Sequence, residues 1–189
     1  MKDSAWARGA ATGLIGAAGV LAIGASLWAA TGLAGFAGAA LALIALSIAV
    51  IDWRLLIVPD ELTALALALG LADLSYRNWN AMPAPALEAL IRCAAMAGVF
   101  LAFRLGYRRL RGREGMGLGD VKLAGVAGAW LDWASLPISV EIAALSALGF
   151  VVARQAVSRQ KIDPLAKLPF GAFLAPAIWI AWLLARWWN

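Results

Sequence analysis

Seven apolar runs, at about residues 10–31, 34–51, 61–76, 85–106, 119–133, 136–156 and 169–188, take up most of this 189-residue chain. Lipid offers no partner to a peptide N–H or C=O, so segments that cross it must close their hydrogen bonds internally, as helices. The sequence therefore predicts an all-α fold: a polytopic transmembrane helical bundle of about six to seven helices, with residues 1–189 forming one domain. Composition agrees, since 63% of residues are hydrophobic and 14% charged, against about 45–50% and about 25% in soluble domains. The run at about 10–31 is too long for a signal-peptide core of about 7–15 residues, and is read as an additional N-terminal transmembrane helix. The run at about 119–133 is short; it would rise only about 22 Å in a hydrocarbon layer of about 30 Å.

Several function classes drop out. With one cysteine, Cys93, and no histidine, the chain has neither an internal disulfide framework nor the usual zinc ligands, and no metal or cofactor is expected. The formal charge of +5 does not indicate nucleic acid, because the basic residues lie in short connections between apolar runs rather than on a soluble face. Their placement instead orients the chain in a lipid bilayer. With a cytoplasmic N-terminus, all of the 16 Lys and Arg fall on the inside except Arg77, Arg186 and the embedded Arg92, as the positive-inside rule requires.

That orientation brings two acids to one membrane face. Asp52 ends the second run and Asp120 begins the fifth. Each alone has an ordinary explanation, a boundary carboxylate for Asp52 and a helix N-cap for Asp120. Together they are a pair able to share one proton and activate water. Considered from these two helix ends alone, the macrodipoles favour the anion on Asp120 and the proton on Asp52.

Asp120 closes the string Gly115-Met116-Gly117-Leu118-Gly119-Asp120-Val121-Lys122-Leu123. Taken with Asp52, with Pro59-Asp60, and with the late Leu168-Pro169-Phe170-Gly171, this string resembles the type IV prepilin peptidase family, membrane aspartyl proteases of the GxGD type. The resemblance covers about residues 40–180. It implies catalysis by Asp52 and Asp120. It further implies a prepilin or pilin-like precursor as substrate, cut where a short basic leader meets an apolar helix at the cytoplasmic face of the bacterial inner membrane.

The remaining motif residues are expected to shape the site. Gly115, Gly117 and Gly119 permit positive φ and close backbone approach beside a carboxylate. Pro59 and Asp60 suit the start of the third helix, Asp60 in a supporting role. Lys122 can run its stem along apolar surface and carry its ammonium to the headgroups. Pro169, Phe170 and Gly171 border the substrate groove, and the connections at about 104–118 and 157–168 are expected to meet the soluble part of the substrate. Glu88 and Arg92 stand one turn apart and should pair or snorkel.

The larger members of the family carry a cytoplasmic Cys-rich region and a second, N-methylating activity. Nothing corresponds to that region between the first two runs here, so the resemblance is to the short members that serve tight-adherence pili, with peptidase activity expected and methylation not. Preflagellin and presenilin-like proteases share the GxGD chemistry, but Ala175-Pro176-Ala177 does not reproduce the presenilin-type Pro-Ala-Leu order. A small ion-coupled transporter would also place acids in a membrane; such folds carry paired repeats, and none is evident here.

Overall fold

The computed structural model describes residues 3–158 and 168–188, with side chains for residues 13–157 and 168–188. Within them the chain forms seven α-helices: α1 Asp3–Ala29, α2 Leu33–Leu55, α3 Asp60–Arg77, α4 Ala84–Arg111, α5 Leu118–Trp130, α6 Ser135–Ser158 and α7 Gly171–Trp188, with a 3-10 turn at Trp79–Ala81. The all-helical bundle read from the apolar runs is the fold found. By length and composition, four stretches can cross a bilayer: Leu33–Leu55, Ala84–Arg111, Ser135–Val157 and Gly171–Trp188, with Gly13–Ala29 a shorter apolar stretch. Residues 159–167, most of the second loop expected to meet substrate, lie outside the described residues.

The short fifth run is the centre of the molecule. α5 packs against α4, α3 and α7, while α2 packs on α1, α3 and α7, and α6 on α7. All of α5 from Val126 to Trp130 is buried. Thirteen residues rise about 20 Å, so α5 does not need to span lipid; its neighbours cover it. A helix this apolar on every side belongs in an interior.

Small residues set how closely these helices approach. A β-carbon at Gly128 would collide with the backbone of Arg92 and Cys93 on α4, and one at Gly38 with the ring of Trp182 on α7. Trp182 is 2% exposed, so α2 and α7 meet through an indole laid on a glycine. Small residues let membrane helices approach this closely. Trp130 repeats the device: it lies against Gly70 and donates from Nε1 to the Ala66 carbonyl at 2.9 Å, fastening α5 to α3.

α4 buries a single narrow face, formed by Ala89, Arg92, Phe100 and Arg104. Arg92 pairs with Glu88 at 2.8 Å, as the one-turn spacing leads one to expect, and its Nε also donates to the Gly128 carbonyl at 3.2 Å. Gly128 lies in the last turn of α5, where carbonyls lack intrahelical partners and a cation is favourable.

Gly128→Val should therefore cost on the order of 1–3 kcal/mol through overpacking, read as a lower Tm of the purified protein in detergent. Gly98→Ala is the control: a β-carbon there meets open space, and Tm should not fall.

Candidate active site

The connection after α2 turns inward. Leu56 adopts the left-handed conformation (φ 56°, ψ 37°) and its N–H donates to the Asp52 carbonyl at 2.9 Å. For a leucine this conformation costs about 1–2 kcal/mol. It reverses the chain so that Val58 is 9% exposed while Leu56 and Ile57 face outward. Pro59, with extended backbone, then precedes α3, which opens with Asp60 and Glu61.

At α5 the chain starts with Gly117 as N-cap (φ −70°, ψ 154°). Having no side chain, it caps nothing; instead its own amide donates to Asp120 Oδ2 at 3.2 Å. Asp120 thus performs the carboxylate half of a capping box. Neither Gly115, Gly117 nor Gly119 has positive φ; in this region only Gly112 does (φ 68°), closing α4. Of the two properties expected of them, positive φ is not found, and close approach is found at Gly115 and Gly119. A β-carbon on Gly115 would lie 2.5 Å from the Tyr107 ring, and one on Gly119 would lie 2.7 Å from Val58 Cβ.

α7 brings the two acids together. The Ala172 amide, second in the helix, donates to Asp52 Oδ2 at 2.8 Å, and Gly171, first in the helix, lies beside both carboxylates. A β-carbon on Gly171 would stand 2.7 Å from Val58 Cγ2, 3.0 Å from Asp52 Oδ2 and 3.3 Å from Asp120 Oδ1. Oxygens of two residues 68 positions apart therefore flank one point, separated by no more than the sum of the last two distances. Asp52 is 5% and Asp120 8% exposed.

Burial, followed by the charge of Asp52, pushes Asp120 up from 3.8 to about 6, against the amides of Gly117 and Gly171 and the Arg104 guanidinium. Asp120 lies on α5, which is not among the four helices long and apolar enough to cross a bilayer. The ends of α2 and α5 alone favour the anion at Asp120, and burial with the Asp52 charge acts the other way. The N-terminal amides of α7 in turn offset the C-terminal dipole of α2 at Asp52.

The supporting residues fall around the pair in different ways. Lys122 binds Asp60 through both carboxylate oxygens at 2.7 Å, an exposed ion pair that joins the N-terminal parts of α5 and α3. The Pro169 carbonyl accepts from the Ala172 amide at 3.3 Å, and the Phe170 ring lies 6.4 Å from Phe100. Three contributors were not singled out from sequence: Val58, which fills the space between Gly119 and Gly171; the Ala172 amide; and Arg104, 9% exposed, which binds the Met116 carbonyl at 2.8 Å and Glu114 at 2.6 Å. Arg104 was visible as an isolated charge within the fourth run, but was used only to orient the chain. Among the described residues no three acids, cysteines or histidines converge as a metal-binding group.

Fold and site together define a polytopic helical membrane protein with a paired-carboxylate centre at one end of its bundle. The Type IV leader peptidase family model matches residues 39–152, and the chain belongs to that family. It is 34% identical over 141 residues to the prepilin leader peptidase/N-methyltransferase of Stutzerimonas stutzeri, covering 75% of this chain and 46% of that protein. The similarly named protein of Escherichia coli (strain K12) is 35% identical over 130 residues, covering 69% and 55%. That of Burkholderia pseudomallei (strain K96243) is 37% identical over 160 residues, covering 82% and 50%. The chain spans about half the length of the curated relatives it matches. No solved structure matches it.

The raised value at Asp120 fixes a sign. The folded chain keeps a proton there in a window where the unfolded chain has lost it, so stability falls as pH rises from about 4 to about 6 and stays lower above. Asp120→Asn should therefore raise Tm at about pH 8, by the equivalent of about 3 kcal/mol, and the difference should vanish below about pH 4. Thermal scans of both proteins across pH provide the check.

Proposed function

We propose that this chain is a membrane aspartyl endopeptidase that removes the short basic leader from type IV prepilin or pilin-like precursors. The observation that carries the proposal is the convergence of Asp52 and Asp120 on the first turn of α7, in a chain of the leader peptidase family. Its relatives are named for that activity.

Two close carboxylates resist ionising together, so the reactive pair carries one proton. We assign that proton to Asp120, whose acid form is favoured by burial and by the neighbouring Asp52 charge, and the role of base to Asp52. Asp52 takes a proton from water as the water oxygen attacks the scissile carbonyl carbon, while Asp120 donates its proton to the carbonyl oxygen. The tetrahedral intermediate collapses, the C–N bond breaks, and the amine leaves with the proton Asp52 had taken. One hydroxyl of the gem-diol gives its proton to the Asp120 carboxylate as the new carboxyl C=O forms. Such coupled groups titrate as a pair.

Location fits the substrate class. The centre lies at the bundle end that carries Arg54, Arg108, Arg109, Arg111 and Arg113, and these would place it at the cytoplasmic face of a bacterial inner membrane. They suit anionic headgroups there. A precursor whose apolar helix lies in the bilayer would present its leader junction at that level. The proposal covers hydrolysis only.

Co-expression with a precursor bearing a basic leader tests it on a mobility gel. Asp52→Asn and Asp120→Asn should each lower processing by about 10³-fold or more at normal membrane abundance; processing retained by both would overturn the aspartyl reading. Gly171→Ala, whose methyl would enter the space between the carboxylates, should lower it by about tenfold or more.

A further inference from the structure

Arg104 is one of two arginines on the buried face of α4, and its contacts converge on one peptide group. Its Nη1 donates to the Met116 carbonyl at 2.8 Å. The same planar peptide unit carries the Gly117 N–H, which donates to Asp120 Oδ2 at 3.2 Å. Because the unit is rigid and planar, a cation bound at its oxygen fixes the direction of its N–H. It also polarises the amide into a better donor. The second guanidinium nitrogen, Nη2, is held by Glu114 at 2.6 Å, with Arg108 at 4.0 Å from the same carboxylate oxygen. The guanidinium therefore has little freedom to leave.

We propose that Arg104 is a positioning residue for the reaction: it acts on Asp120 through the Met116–Gly117 peptide, presenting the Gly117 amide to the carboxylate and lowering its affinity for a proton. The proposal rests on the aspartyl reading above. The charged groups around Asp120 are Asp52 from α2, Asp60 from α3 paired with Lys122 on α5, Arg104 and Arg108 from α4, and Glu114 from the turn before α5. The first turns of α7 carry no ionisable side chain and offer backbone amides. Arg104 is the cation hydrogen-bonded to the peptide that contacts Asp120, so its charge and that of Glu114 act on the pair with opposite sign.

The opposition of sign provides the test. The full-length protein is reconstituted in liposomes, and kcat/KM for a synthetic precursor peptide with a basic leader and apolar segment is measured from about pH 5 to about pH 9. Arg104→Gln keeps an amide donor but loses the cation, and should move the profile up by about half to one pH unit. Arg104→Lys keeps the cation and should restore the wild-type profile even where kcat stays low. Glu114→Gln, whose carboxylate is 57% exposed and so endangers folding little, leaves Arg104 less neutralised and should move the profile down by a few tenths of a unit. Profiles that superpose on the wild type, or that move in the same direction for Arg104→Gln and Glu114→Gln, overturn the proposal. Should Arg104→Gln not fold, the direction for Glu114→Gln decides. Asp52→Asn and Asp120→Asn run alongside: if both still cleave, the aspartyl reading fails; if both are inert while the Glu114 and Arg104 profiles stay put, the Arg104 proposal alone fails.

Discussion

The arrangement depends on the peptide N–H groups at the start of α7. A helix N-terminus leaves its leading amides without intrahelical partners and carries partial positive charge; here the Ala172 amide donates to Asp52, and Gly171 lies beside both carboxylates. Two buried acids would otherwise repel each other across a site with little water to screen them. With α7 placed between them, both find donors, and the pair is tolerated at a separation short enough for joint chemistry. No side chain could occupy residue 171 without entering this space, so the glycine follows from the electrostatics as much as from the packing.

Val58 serves as the spacer that keeps this geometry from collapsing. It touches the positions where Gly119 and Gly171 lack β-carbons, and so separates the start of α5 from the start of α7 by one branched side chain. Val58 reaches that place because Leu56 accepts a left-handed conformation after α2. A backbone cost of order 1–2 kcal/mol at Leu56 is thus tied to the placement of Asp52, one turn earlier, whose carbonyl receives the Leu56 amide. Strain and site belong to the same turn of chain.

Much of this was legible in sequence, and what was not has a physical reason. Seven apolar runs gave seven helices with boundaries displaced by a few residues, because lipid enforces helix wherever the chain is apolar enough. Asp52 and Asp120 could be assigned to one end of the bundle because helix parity and basic residues are one-dimensional information. The roles of individual groups were not legible. Gly115, Gly117 and Gly119 read as positions of positive φ and close approach; the close approach is found at Gly115 and Gly119, set by Tyr107 and Val58 lying opposite them, and the positive φ is not. The ends of α2 and α5 can be read locally and favour the proton on Asp52, while the third helix end, α7, enters only through tertiary packing. Lys122 met Asp60 for the same reason: their contact spans 62 positions.

The depth of Asp120 is set from the opposite end of its helix. α5 is bounded by two buried side chains of α4: Arg92 on the Gly128 carbonyl of its last turn, and Arg104 on the Met116 carbonyl just before its first. Twelve residues of α4 separate these arginines, about 18 Å of rise, and thirteen residues of α5 rise about 20 Å, so the two spacings match. Trp130 adds a third fastening, to Ala66 on α3. A short interior helix held at both ends cannot slide along the bundle axis, and sliding by a single turn would move Asp120 by about 5 Å, away from the α7 amides. The arginines of the fourth run, which in sequence look like isolated charges placed at a cost in an apolar helix, are the groups that keep the two carboxylates level.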